Sequence, residues 1–392
     1  MHWTVHLEGG PQRVNHAAVA VGSKIYSFGG YSSYDEVSGR IDVQALDTES
    51  YRWYTVYYQA SKHVPFKRYG HSVVAYGRKV YLWGGRNDLN ASNILHCYDT
   101  DNLTWSIPAV KGAIPFATDG HAACVIGHYM YLFGGFEEQT EKCSQSVHRL
   151  NLETFVWEEI NVSGNIPTGR DFHTASAIGN KMYIFGGRSF FDEINPSALN
   201  EYYCNKIIRF NTESMLWEAP DVSGDIPCGR RSHSAVVYQD ELYIFGGYNA
   251  GNNKHLNDLY KFNPETGEWT KLVAIGEGPC PRRRHCACVV GNQMFLFGGS
   301  SPSQEAGWES LLYEEDSQKL IDHSDLHVLD FFPSLKRLCQ LKVIDWGLNT
   351  NHLPRLLTQE INLMIKDNIM TGVPNQCNFY PRRDYEMHAF SA

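Results

Sequence analysis

The stretch His233-Ser-Ala-Val-Val-Tyr-Gln-Asp-Glu-Leu-Tyr-Ile-Phe-Gly246-Gly247 decides the fold. Two β-branched and aromatic runs flank a polar turn at Gln239-Asp240, the pattern of a β-hairpin. The pattern recurs, with Gly-Gly pairs at Gly29, Gly84, Gly134, Gly186, Gly246 and Gly298, separated by 55, 50, 52, 60 and 52 residues. A histidine stands 13 residues before every pair: His16, His71, His121, His173, His233 and His285. Arg13, Arg68, Arg170, Arg230 and Arg282 precede five of them at R-x-x-H spacing; the third repeat has Thr118 there. A tryptophan follows at Trp53, Trp105, Trp157, Trp217 and Trp269, after a third strand such as Asp258-Leu-Tyr-Lys-Phe262. The sixth repeat lacks that tryptophan, but Trp3 precedes Arg13 and His16 as a fourth-strand residue would. The N-terminal strand is therefore predicted to complete the last unit, closing a ring with no unpaired edge.

Four antiparallel strands repeated about every 50 residues resemble the kelch repeat. The resemblance implies an all-β fold: a six-bladed kelch β-propeller over residues 1–331, closed by the N-terminal strand. A short helical segment over 332–368 and a disordered tail over 369–392 are expected to follow.

Composition excludes several classes. Among 392 residues, 43% are apolar and 20% charged, and no apolar run reaches the roughly 20 residues of a membrane span. The opening Met1-His-Trp-Thr-Val-His-Leu-Glu8 lacks a signal peptide's basic start and apolar stretch, so reduced cysteines are expected. The net charge of −9 is concentrated in residues 304–325, where seven acids face Lys319 alone. That balance leaves no basic footprint for nucleic acid.

The repeated residues are expected to be structural. Once per blade and in register, the six histidines read as buried strand-start residues with satisfied nitrogens, not as a metal cluster. Cys124, Cys286 and Cys288 read as core residues. There is no P-loop, nucleophile elbow or metal-binding spacing, so neither a catalytic residue nor a cofactor is expected.

Function is expected at one mouth of the channel. The residues between Arg and His and those just after Gly-Gly lie at the same edge of each hairpin. They vary between blades, so the scaffold does not dictate them. Arg86, Arg188, Arg231, Arg283 and Arg284 fall there, with Ser232, and they suit a carboxylate or phosphate because guanidinium is a bidentate donor. Tyr31, Tyr69, Phe136, Phe172, Tyr248 and Asn249 would form the walls. Asp119 and Asp171 put negative charge on the third and fourth blades, as a reader of a basic residue would. A peptide's C-terminus with a basic residue upstream carries both charges. The alternative is a solvated rim without a ligand.

Beyond the repeats, Ser334-Leu-Lys-Arg-Leu-Cys-Gln-Leu-Lys-Val343 resembles an elongin-binding BC box, carried by Leu335, Cys339 and Val343. Leu353-Pro-Arg-Leu-Leu-Thr-Gln-Glu-Ile361 resembles a cullin-2 box, carried by Leu353, Pro354, Leu357 and Ile361. With the Arg-Tyr-Gly-His of repeat two, Cys280-Pro-Arg-Arg-Arg and Ile321-Asp-His-Ser-Asp-Leu-His, the chain is similar to the kelch-repeat substrate receptors of cullin-2 RING ubiquitin ligases. That resemblance implies a non-catalytic adaptor, cytoplasmic and nuclear. It would bridge elongin B/C, cullin-2 and the RING-box protein to proteins whose C-terminal degron ends in glycine, with Arg, Lys or Gln upstream. It places the carboxylate anchor at Arg188, Arg231 and Ser232, with Glu193 where relatives have a second arginine. A kelch scaffold for chromatin or the cytoskeleton is the rival reading.

Overall fold

The computed structural model describes residues 1–32, 39–191, 200–303 and 320–370. Six antiparallel sheets follow one another along the chain, spanning residues 17–55, 69–106, 122–160, 171–218, 234–272 and 286–330. Numbered in that order, they are the six blades of a propeller. The N-terminal strand His2–Leu7 pairs antiparallel with Leu326–Asp330 and supplies the outer strand of blade six. Ring closure thus follows the sequence expectation.

The tryptophans explain the repeat length. Each outer-strand tryptophan packs on the residue just before Gly-Gly in the preceding blade. The six pairs are Phe28–Trp105, Trp83–Trp157, Phe133–Trp217, Phe185–Trp269, Phe245–Trp3 and Phe297–Trp53, with centroids 4.7 to 6.0 Å apart. Trp3 occupies the blade-six position, so its burial against blade five is the contact that identifies the closing strand. Each aromatic pair adds roughly 0.5–1.5 kcal/mol beyond its area.

The Gly-Gly pair is the slot for the histidine. A Cβ on Gly134 would stand 2.6 Å from the His173 ring of the next blade, and one on Gly135 would stand 2.7 Å from the Cβ of His121 in its own blade. Both glycines have positive φ, so no other residue fits without strain. Arg68, Arg170, Arg230 and Arg282 then donate to the carbonyl of the first glycine at 3.0–3.2 Å. Thr118 cannot reach that far; it sits buried with Oγ1 3.4 Å from His121 Nδ1.

One expectation about the histidines needs correction, because only three of the six have a hydrogen-bonded ring. His121, His233 and His285 meet the hydroxyls of Ser72, Thr174 and Ser234 at 2.8–3.0 Å, each from the residue after the preceding blade's histidine. That residue is Ala17, Ala122 or Cys286 in the other blades. The rings of His71, His173 and His16 accordingly lack a partner of good geometry. Burial holds the imidazoles neutral, lowering His16 and His285 to about 3 and His121 to about 4. Cys124 and Cys288 are buried, and Cys286 packs on the blade-six core.

Helix α1 (Leu335–Asp345) and helix α2 (Arg355–Ile365) lie over the seam between blades one and six. Leu341, Ile344, Leu363 and Met364 join a core with Leu7, Trp53, Phe295 and Val328. The chain stays attached beyond α2: Asn368 is buried, donates to Glu8 O at 2.8 Å and accepts from Trp53 N at 3.0 Å. Met370 packs on the same core, so a tail starting at 369 is placed too early. Residues 371–392 and the acidic stretch 304–319 lie outside the described residues.

Candidate functional site

The residue before each repeated histidine builds a neck in the channel. Asn15, Gly70, Gly120, Phe172, Ser232 and Arg284 all have φ between 50 and 67°. Each amide donates to the carbonyl of its predecessor around the ring at 2.7–3.1 Å, and Asn15 N closes the circle on Arg284 O. Left-handed backbone in four non-glycine residues is costly and persists because six blades hold it together. The ring and the six histidines line a cavity of about 120 Å³.

Above this neck, the two sets of variable residues face each other across every hairpin. The pairs are Val14–Tyr31, Tyr69–Arg86, Asp119–Phe136, Asp171–Arg188, Arg231–Tyr248 and Arg283–Ser300. The third strand adds a neighbour in register: Ala91, Cys143, Tyr203, His255 and Asp322 for blades two to six. Laterally paired residues share a face of the sheet. The sequence reading missed these third members because loops of unequal length separate them from Gly-Gly. Asn249 is a hairpin residue, donating to Gly229 O at 2.6 Å and accepting from Asn252 N.

Blade four sets its one mouth arginine against two carboxylates. Arg188 donates Nε to Asp171 Oδ1 at 3.1 Å and Nη2 to Oδ2 at 2.6 Å, and its Nη1 meets Glu201 Oε1 at 3.0 Å. Tyr203 donates to the other oxygen of Glu201. Although burial works the other way, the charge of Arg231 and then the Tyr203 and Arg188 bonds hold the Glu201 carboxyl below its ordinary range. Arg188 and Asp171 were expected as separate readers of an anion and a cation; the structure pairs them with each other. Glu193 lies outside the described residues.

Blades five and six carry the positive side. Arg231 stands 5.6 Å from the Tyr248 ring and Arg283 4.5 Å from it. Among the described residues, the Arg231 guanidinium has no ion pair, and its Nε is buried without a hydrogen bond. His255 stacks 4.7 Å from Tyr248, is 8% exposed, and has neither nitrogen bonded. Burial, with Arg283, Arg284 and Arg231 around it, lowers its pKa to about 3. Arg86 is half-buried and turns its Nε to Asn87 O at 3.3 Å. Tyr31 is exposed at the rim, while Tyr69, Phe136 and Phe172 are half-buried. Asp119 is buried in blade three.

The two box segments differ in exposure. Leu335 is 77% exposed and Cys339 is exposed; Trp346, on the same helical stripe and absent from the sequence reading, is 69% exposed. Val343 is half-buried. In the second segment Pro354 is exposed and Leu353 and Leu357 are half-buried, but Ile361 is buried, only 3% exposed. Ile361 is therefore a core residue here, not a docking residue.

His6, Asp325 and His327 bring donor atoms within 4.8 Å of one another at the closing strand. Asp325 is held by Arg282 through two 2.6 Å bonds and accepts from His327, so the group reads as a buried ion-pair network. No helix among the described residues is long and apolar enough to cross a membrane.

Residues 70–299 match the KLHDC2/KLHL20/DRC7 kelch-repeats domain, and residues 12–56 match a kelch motif. The chain is similar to kelch domain-containing protein 3 of Rattus norvegicus, 49% identical over 375 residues that cover 93% of this chain and 96% of that protein. Kelch domain-containing protein 3 of Homo sapiens is 48% identical with the same coverage. Host cell factor 2 of Homo sapiens is 32% identical over 63% of this chain and 32% of its own length.

Proposed function

Because this chain belongs to the kelch domain-containing protein 3 family of kelch-repeat propellers, we propose that it is a non-catalytic receptor for the free C-terminal acid of other polypeptides. In this reading it acts as the substrate-recognition subunit of a cullin-2–elongin B/C RING ubiquitin ligase. The observation that carries it is the charge division of the mouth. Arg231 makes no hydrogen-bonded ion pair among the described residues, feels the charge of Glu201 in neighbouring blade four, and sits beside Arg283, Arg284 and neutral His255, while the buried acid Asp119 stands in blade three. A guanidinium that lacks a hydrogen-bonded carboxylate in a concave mouth gains from a ligand's, which it can bind through two parallel bonds. A terminal glycine offers no side chain to collide with the neck, and larger last residues would be rejected by steric clash.

Docking to the ligase is assigned to the exposed stripe of Leu335 and Cys339 on α1, with Leu353, Pro354 and Leu357 contributing the second contact. Packing of both helices on blades one and six would hold a captured polypeptide in a set direction relative to the ligase. Ubiquitin transfer would take place on the recruited subunits.

The deciding experiment is titration of a peptide ending in glycine with the terminus free or amidated. The reading expects binding of the free acid and loss of most of it on amidation. Equal affinity for the two forms would refute it.

A further inference from the structure

We infer that Asn368 is a positioning residue: it fastens the ligase-docking helices to the outer edge of blade one and so sets where a captured polypeptide stands relative to the ligase. This rests on the reading of the chain as the recognition subunit of a ubiquitin ligase.

The outer tryptophan strand is closed in the same way in four of the blades. In blades three, four and five a two-residue strand arriving from the preceding blade (Lys111–Gly112, Ser163–Gly164 and Ser223–Gly224) pairs in parallel with it. The glycine of each lies so close that a Cβ would stand 2.1–2.3 Å from the tryptophan carbonyl oxygen. In blade six Ile275 does the same work: Trp3 N donates to Ile275 O at 2.8 Å, and Ile275 N donates to Met1 O at 3.2 Å.

Blade one departs from this pattern. The arriving segment is Glu8-Gly9-Gly10, and Asn368 stands between it and Trp53. Trp53 N donates to the side-chain Oδ1 of Asn368 at 3.0 Å, Asn368 N donates to Glu8 O at 2.8 Å, and Glu8 N donates to Asp367 Oδ1 at 2.9 Å. Gly9 has a φ of 77°, close to the 80–87° of Gly112, Gly164 and Gly224, but a Cβ on it would stand 2.0 Å from Asn368 O. Gly10 N turns to Ser324 O at 2.7 Å. One side-chain amide thus takes the place of a strand, and it belongs to the segment directly after α2.

Burial points to bonding as the reason. Asn368 is 6% exposed, whereas its neighbour Ile369 is 83% exposed. Turning an amide in and an isoleucine out is unfavourable unless the amide is hydrogen-bonded. Both helices are tied to the same edge: Arg337 of α1 donates to Tyr51 Oη at 2.8 Å, and Arg52 donates to Leu363 O of α2 at 3.4 Å. The exposed Leu335 and Cys339 therefore stand on a base fixed to blade one, and Asn368 is its last fastening.

The test uses the full chain assembled with elongin B/C, cullin-2 and the RING-box protein. Its substrates end in glycine and carry a single lysine at a series of distances from that end. The parent should modify a narrow range of lysine positions. Asn368→Leu removes the acceptor, and Gly9→Ala pushes the segment out from the other side. Gly112→Ala imposes the same strain in blade three, away from the helices. The two blade-one variants should speed hydrogen exchange of the peptide Arg52–Thr55 and slow transfer at the favoured lysine, each about tenfold, while spreading transfer over more positions. Their affinity for a glycine-ended peptide and their capture of elongin B/C should match the parent's. Gly112→Ala should keep the parent's lysine profile. Unchanged exchange in Asn368→Leu, an unchanged lysine profile in both blade-one variants, or a profile altered as much by Gly112→Ala as by Gly9→Ala would overturn this inference alone. A parent that captures no elongin or transfers no ubiquitin would overturn the ligase reading and this inference with it.

Discussion

Arg188 and Asp171 face each other across the inner hairpin of blade four and are joined by two hydrogen bonds, 3.1 and 2.6 Å long. The pair is largely buried, with side-chain exposures of 16% and 2%. Removing one partner of such a pair strands the other's charge. Arg188→Ala is therefore expected to lower unfolding stability by about 3–5 kcal/mol, measured by urea denaturation. A change under about 1 kcal/mol would contradict the pairing.

Arg231→Ala should behave differently. Its guanidinium has no hydrogen-bonded ion pair to lose among the described residues, only the longer-range attraction of Glu201, so stability should fall far less than for Arg188→Ala. Affinity for a glycine-ended peptide should fall by about 2–5 kcal/mol. Intact binding would remove Arg231 from the anchor.

The hydroxyl pattern around the channel makes a paired prediction. Ser234→Ala would orphan a buried nitrogen of His285, bonded at 2.9 Å, and should cost about 1–3 kcal/mol. Ala122→Ser would supply the hydroxyl that His173 lacks and should stabilise by about 0.5–1.5 kcal/mol. Chemical denaturation of both variants reads out the difference, and a destabilising Ala122→Ser would show that His173 does not need this partner.

Leu335→Asp and Ile361→Asp should separate docking from folding. The first alters a side chain that is 77% exposed, so the propeller should melt as before while elongin capture in co-purification is lost. The second puts a charge at a residue that is 3% exposed and should detach α2 from the seam, seen as a lower melting temperature or protease cleavage after α1. Elongin retention by Leu335→Asp would count against the box assignment.

The buried histidines set the acid limit. Their folded pKa values lie well below the unfolded 6.5, so the unfolded chain binds more protons below that pH. Stability should be full above about pH 6.5 and fall as pH drops, by roughly 1.4 kcal/mol per pH unit for each histidine. Asp119, raised to about 7, works in the opposite direction, but it is one group against six. Urea titrations across that range would show the slope, and a flat profile would mean the rings are hydrated.

Much of the scaffold is written in local spacing. The 13-residue interval from His to Gly-Gly, the pre-glycine aromatics and Trp3 are enough to count six blades and to name the strand that closes them. These features are legible because each blade repeats the same steric problem, a histidine ring in a slot only glycine can form. The hydroxyls of Ser72, Thr174 and Ser234 were equally legible, one residue past each histidine, and reading them would have corrected the expectation of six satisfied rings.

The recognition chemistry is another matter. Sequence alone put arginines and aspartates at one mouth, but could not say that Arg188 would be neutralised by Asp171 and Glu201, that Asp119 would be left with Phe136, or that Ile361 would turn inward. Charge at a buried site depends on which side chain lies laterally across the sheet or on the next blade. Those neighbours, such as Glu201 and His255, come from third strands reached through loops of unequal length, where no periodicity survives. Short-range repetition determined the ring; lateral register and desolvation, which exist only in the folded molecule, decided which charges in its mouth remain open to a ligand.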